Sequence, residues 1–209
     1  MNIPNANCLS LVPLLLILAS CVIPESNHVQ PTYHLLSELG AEGNESLPQT
    51  EVSFYIRQVE LPTYLQENRL VSRPSQGLIE FRENDRWGEP LEEGIARVLG
   101  LNLSKRLNTL SYSVYPHRKK VSCIYDLGIT LQRFERIDSG AILLEAVCEI
   151  HAFKKVKQVQ FVTKVELVGT GKEEKRAKQE VRALSQAIDG FCNFLTLAIT
   201  SFPTSDIDD

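Results

Sequence analysis

No lysine or arginine occurs before Arg57 in this chain of 209 residues. Basic residues are in deficit overall: Lys+Arg 22 against Asp+Glu 26 gives a net charge of −4. That balance argues against a nucleic-acid binder, which needs a basic face over phosphate. Catalytic signatures are missing too. There is no G-x-S-x-G, H-E-x-x-H, Walker loop or C-x-x-C, so the local marks of acyl-transfer hydrolases, zincins, P-loop NTPases and dithiol oxidoreductases are absent. Histidine is scarce, and His28, His34, His117 and His151 do not stand at metal-ligand spacing from one another or from a cysteine. A metal site assembled from distant positions is the weaker reading. Glycine and proline, 11 and 10, are ordinary, and no repeat of solenoid period occurs, which excludes fibrous, low-complexity and solenoid classes. Hydrophobic residues at 43% and charged residues at 23% are those of a globular chain.

The longest apolar run is short. Residues 9–18 read LSLVPLLLIL, about half of the roughly 20 residues that span a bilayer. Small residues and a cysteine follow: Leu18, Ala19, Ser20, Cys21. This is the pattern of a signal peptide, and the tetrapeptide resembles a bacterial lipobox. Such a signal is cut before the cysteine, which receives a diacylglyceryl group and then an N-acyl group. The start lacks the usual basic residue, so a plain secretory signal, or a buried strand with a chance cysteine, stays as the alternative. Val22, where an aspartate would retain a lipoprotein in the inner membrane, suggests the outer membrane with the domain on its periplasmic side. No polybasic segment adjoins the signal, so the acyl anchor must hold the membrane alone.

With Cys8 removed and Cys21 acylated, Cys123, Cys148 and Cys192 remain, an odd number in an oxidising compartment. All three lie in apolar segments, so buried free thiols are expected.

The organisation that follows is 1–20 signal peptide, 21–32 lipidated cysteine and tether, 33–201 one domain, and 202–209 a loose acidic tail. A first strand opens at YHLL (33–36), residues 40–51 form a loop, and VSFYIRQV (52–59) alternates as a strand that Leu61-Pro62 ends. Two short strands are expected near 70–73 and 78–82. Pro90 opens a helix whose stripe is Leu91, Ile95, Val98, Leu99 and Leu103, with Glu92 and Glu93 at its positive end.

Three strands fill 121–168. Apolar residues are odd-numbered through Leu131, then even at Phe134 and through Ile142, Leu144, Ala146, Cys148 and Ile150. A turn at Asp138-Ser139-Gly140 with unbroken pairing would set Ile129 beside Glu149. A β-bulge near Gln132-Arg133 repairs this and makes Ile129 face Cys148. Cys123 would then face Lys154, six residues or about 20 Å from Cys148 along the ladder, which argues against a disulfide between them. A third strand at 159–165 carries its apolar residues on odd positions. A final helix, from about Glu173 to Ile199, has the stripe Ala177, Val181, Leu184, Ile188, Phe191, Leu195 and Ile199, with Gly190 as a weak point. The order predicts an α+β (mixed α/β) fold: a single domain with a mixed, largely antiparallel sheet packed by two main helices.

Two charged stretches, His117-Arg118-Lys119-Lys120 and the run GKEEKRAK from Gly171, read as solvated surface. The glycosylation triplets at Asn44 and Asn102 are chance matches in a bacterial lipoprotein. Trp87 beside Arg86 could anchor an interface, but its place just before Pro90 favours packing over the helix start.

Four stretches stand in order behind the lipobox: Val59-Glu60-Leu61-Pro62-Thr63-Tyr64-Leu65, Leu70-Val71-Ser72-Arg73, Arg86-Trp87-Gly88-Glu89-Pro90-Leu91 and Arg97-Val98-Leu99-Gly100-Leu101-Asn102-Leu103. Together they resemble the PqiC/YmbA family, the ABC-type transport auxiliary lipoproteins, from about Tyr33 to Ile199. The uncharged start and the loop at 40–51 depart from the family pattern. The resemblance implies a non-catalytic docking or conduit-end component, not an enzyme. Its partners would be an MCE-domain protein and the ABC or permease components of a lipid transport system. It implies no cofactor beyond the acyl groups on Cys21, and it admits a homo-oligomer around a conduit. The alternatives are a carrier that itself binds an apolar ligand, which needs an apolar cavity, and a lipid-anchored hydrolase, which needs a convergent polar site.

Overall fold

Period-two stretches become strands and the two stripes of helical period become helices. The computed structural model describes residues 29–39, 49–117, 123–167 and 173–202. In chain order they form β1 (Thr32–His34), β2 (Phe54–Ile56), a 3-10 turn (Thr63–Leu65), β3 (Arg69–Ser75), β4 (Leu78–Trp87), α1 (Leu91–Arg106), β5 (Tyr112–Val114), β6 (Tyr125–Ile137), β7 (Ala141–Ala152), β8 (Lys155–Glu166) and α2 (Glu173–Thr200). The strands make one open, mixed sheet of eight, and the fold is α+β as expected. Cys21, the signal segment, most of the tether, most of the 40–51 loop, residues 118–120 of the basic run and residues 203–209 of the acidic tail lie outside the described residues, whereas Phe202, placed in that tail, is buried with its ring edge-on to Tyr125.

The central strand is β6. It pairs antiparallel with β7, and β7 with β8. The ladder carries the bulge where the parity demands it: Leu131 faces Ala146 and Arg133 faces Glu145, with Gln132 between them. Ile129 therefore faces Cys148. The turn between β6 and β7 closes through Gly140 N–H donating to Ile137 O, and Gly140 takes φ +78, a conformation that glycine adopts without steric cost. Cys123 stands just before β6 rather than in the ladder.

β7 occupies one edge of β6, and the other edge is shared in sequence by two parallel partners. Residues 54–56 of β2 pair with 125–127, an isolated bridge joins Glu60 to Thr130, and Ser72 and Arg73 of β3 pair with Arg136 and Ile137. The segment 54–73 thus runs along β6 as an interrupted strand. β5 then pairs with β2, while β4 and β1 follow β3. The predicted strand over 52–59 shrinks to β2, because the chain must leave the ladder to make the 3-10 turn. β3 and β4 are longer than expected, since charged residues at 82–86 hid the second half of β4 in the sequence. Thr32, placed in the tether, belongs to β1.

Both helices lie on one face of the sheet. The α1 stripe is fully interior, with Leu91, Ile95, Val98, Leu99 and Leu103 buried, each worth roughly 1.5–3 kcal/mol of transfer free energy. All seven stripe residues of α2 are buried as well. They pack on β7 and β8, where Phe161 stacks against Phe191 and touches Phe194. The opposite face of β8 is exposed at every even position from Val156 to Glu166.

Candidate interaction surfaces

The four stretches quoted above become joints of the fold. In the first, Glu60 N–H donates to Ile129 O and accepts at its own carbonyl from Leu131 N–H, which ties it to β6. Pro62 then starts the 3-10 turn, which buries Leu65 and sends Tyr64 over the sheet. The Tyr64 hydroxyl donates to Glu135 Oε2 at 2.9 Å. In the second stretch, Arg73 Nε donates to Glu135 Oε1 at 2.9 Å and its guanidinium lies over the Tyr64 ring. Two separate motifs therefore converge on one carboxylate of β6.

Glu135 is fully buried. Beyond Tyr64 and Arg73 it accepts from Arg133 Nε at 2.8 Å and from Phe134 N–H at 2.9 Å. Four donors satisfy its two oxygens, the condition under which a buried carboxylate is tolerated. Burial, with the neighbouring Glu135 charge, pushes the Tyr64 hydroxyl up to about 12.

The third and fourth stretches meet each other. Trp87 is buried, so packing is its role rather than surface display, and its backbone N–H donates to Asn68 O. Glu89 accepts from Arg97 at 2.6 Å, and the same guanidinium donates to Leu36 O at 3.1 Å. Gly100 has a packing reason: a Cβ there would lie 2.9 Å from Val114 Cγ2, so its absence lets β5 close on α1. Asn102 is fully buried, which leaves the triplet at Asn102 out of reach of any glycosylation.

A groove of about 500 Å³ runs between α1 and β5, with Leu101, Tyr112, Val114 and Tyr115 in its wall and Glu89, Glu93, Arg97 and His117 at its rim. It is open to solvent and polar at the edge. His117 is exposed, as expected for the basic run. Among the described residues, no group of three or more His, Cys, Asp or Glu is placed to hold a metal ion, and no helix is long and apolar enough to cross a membrane.

The cysteines divide. Cys148 and Cys192 are buried free thiols, and burial pushes both up to about 12. Cys123 departs from the expectation: it is half-buried, with Sγ 3.0 Å from Tyr125 O.

Sequence reasoning missed the buried charges. Glu180 of α2 has no exposure, yet it pairs with Arg82 of β4 at 2.6 Å. A signal existed, because Glu180 is three residues after Ala177 and four before Leu184, on the apolar stripe itself. Asp189 of α2 likewise joins Arg106 of α1 at 2.8 Å, which fastens the two helices.

The model of the ABC-type transport auxiliary lipoprotein component family matches residues 33–195. The chain belongs to this family. Its members are auxiliary components of a transport system. No curated protein matches. Among solved structures, an uncharacterized protein superposes with a TM-score of 0.67 at 19% identity, covering 82% of this chain and 99% of its own. Protein XCC0632 from Xanthomonas campestris, of the DUF330 family, superposes with a TM-score of 0.61 at 15% identity, covering 82% and 95%. At these identities the two structures establish the shared fold.

Proposed function

We propose that this chain is the membrane-anchored, non-catalytic auxiliary lipoprotein of an MCE/ABC-type lipid transport system, acting at the periplasmic face of the outer membrane. The family match over residues 33–195 carries the reading. Cys21, behind a signal-like apolar run, is its lipid attachment site, and Val22 directs it to the outer membrane. The domain supplies docking surfaces: an open sheet face on β8, and the groove between α1 and β5.

The architecture supports a docking role in physical terms. The quoted motifs stiffen the scaffold through Glu135, Glu89–Arg97 and Gly100 rather than converging on a reactive group. A carried acyl chain requires an enclosed apolar cavity. The α1–β5 groove is instead open, with carboxylates and an arginine at its rim, which favours docking over carriage.

The test is affinity purification of the full chain from native membranes in a mild detergent, with mass spectrometry of both proteins and lipids. Co-purification of an MCE-domain protein without stoichiometric lipid is the expected outcome. Stoichiometric apolar ligand with no MCE partner would replace this reading with that of a lipid-anchored carrier.

A further inference from the structure

We propose that the groove beside the β3–β4 and β6–β7 turns is an anion site that takes a phosphate group, either the headgroup phosphate of a phospholipid or free phosphate. The inference rests on charge geometry and does not depend on the transport reading. The groove holds about 440 Å³ and is lined in part by Arg73, Ser75, Gln76, Arg133 and Lys164.

Two guanidiniums from different strands are gathered here on a single oxygen. Arg73 and Arg133 both donate Nε to Glu135 Oε1. Glu135 has no exposure, but the arginines keep 24% and 27%. The carboxylate is saturated by four donors, so it fixes the arginines without using them up. Each guanidinium carries five N–H donors. Arg73 also interacts with Tyr64, over whose ring it lies, while Arg133 is bonded to Glu135 through Nε, which leaves its forked Nη groups. That fork matches two oxygens of a phosphate.

The sheet register adds a third cation. Glu135 faces Leu143, and Leu143 faces Lys164, so Lys164 shares the face of Glu135 two strands away, about 10 Å between Cα atoms. Lys164 has no ion-pair partner among the described residues. Ser75 and Gln76 add uncharged donors at the rim. The acids must be counted too. Asp138 lines the groove, with Oδ1 accepting from Ser139 N–H at 2.7 Å in the turn. Glu145 is the cross-strand partner of Arg133 outside the lining. Within the lining and its buried support, three cations stand against Glu135 and Asp138, leaving one positive charge for an incoming anion. Ile137 and Leu143 give an apolar flank, which suits a phosphate that bears an organic group.

The test uses the full chain purified in a neutral detergent, titrated calorimetrically with inorganic phosphate and, separately, with glycerophosphoglycerol. Saturable binding of at least one probe is expected, weakened about tenfold by Arg133→Gln and about threefold by Lys164→Gln. Tighter binding of the diester assigns a lipid headgroup; tighter binding of inorganic phosphate assigns free phosphate; both support the site. If Arg133→Gln fails to fold, Lys164→Gln, on an exposed strand position, decides alone. No saturable binding of either probe overturns the proposal, as does binding that the folded variants leave unchanged.

Discussion

Arg82 of β4 and Glu180 of α2 meet at 2.6 Å, where Glu180 is fully buried and Arg82 is 15% exposed. Arg136 of β6 approaches the same glutamate oxygen at 3.9 Å. On its other side Arg82 reaches Asp85 at 3.5 Å, and Asp85 holds His34 of β1 at 2.8 Å. One line of charges thus fastens α2 to β4 and β6 and ends on the first strand of the domain.

Burial raises the Glu180 pKa above its ordinary 4.5, and the charges of Arg82 and Arg136 pull it part of the way back. A carboxyl whose pKa is higher in the folded chain binds its proton more tightly there. Its contribution to stability is full below the unfolded value and is lost as pH rises through the folded one. Urea unfolding is therefore expected to show wild type losing stability relative to Glu180→Gln as pH rises above the ordinary glutamate value of 4.5. A flat difference, or one that grows in favour of wild type, would contradict this. Glu180→Ala, which leaves Arg82 only its longer contact with Asp85, is expected to cost about 3 kcal/mol.

Two helical glycines should respond oppositely to the same change. A Cβ at Gly190 would meet only Phe161 Cζ, at 3.7 Å, an ordinary contact. Gly190→Ala should stabilise the chain by up to about 1 kcal/mol, because alanine suits a helix interior. A Cβ at Gly100 would lie 2.9 Å from Val114 Cγ2 and 3.1 Å from Tyr112 Cε2. Gly100→Ala should destabilise by about 1–3 kcal/mol through overpacking. Thermal unfolding of both variants checks the pair of signs.

The thiols give a further check. Cys148 and Cys192 are buried, with pKa values pushed up to about 12, and the thiolate is the reactive form. A disulfide-exchange reagent at mildly alkaline pH should leave both unmodified in the native protein and label both after denaturation. Native labelling at a rate set by reagent concentration rather than by unfolding would show that they are accessible.

What was legible in the sequence was what local periodicity encodes. The parity switch between Leu131 and Phe134 located the bulge at Gln132, because one extra residue is the only way to keep both apolar rows on one face. The stripes from Leu91 and from Ala177 located the helices and their buried sides. Trp87 packed as its place before Pro90 suggested. Parallel pairing of β2 and β3 with β6 was not legible, since three-residue partners brought together over some seventy residues leave no local pattern. The second half of β4 was hidden by Arg82, Glu83 and Asp85, two of which are charged residues turned inward to ion pairs. Glu135 and Glu180 were missed for the same reason. A charge reads as surface until the partner that neutralises it is known, and those partners are remote in sequence. Of the interaction surfaces, the motif stretches were visible, but not that two of them meet on Glu135.

Within the central claim of a lipid-anchored auxiliary component of a transport system, the proposed anchor rests on Cys21. The most direct measurement is mass spectrometry of the full chain from fractionated membranes, beside a Cys21→Ala variant. The account predicts a chain beginning at an acylated Cys21 in the outer-membrane fraction, and loss of that form and fraction in the variant. An unmodified chain cut elsewhere and recovered in the soluble fraction would contradict it.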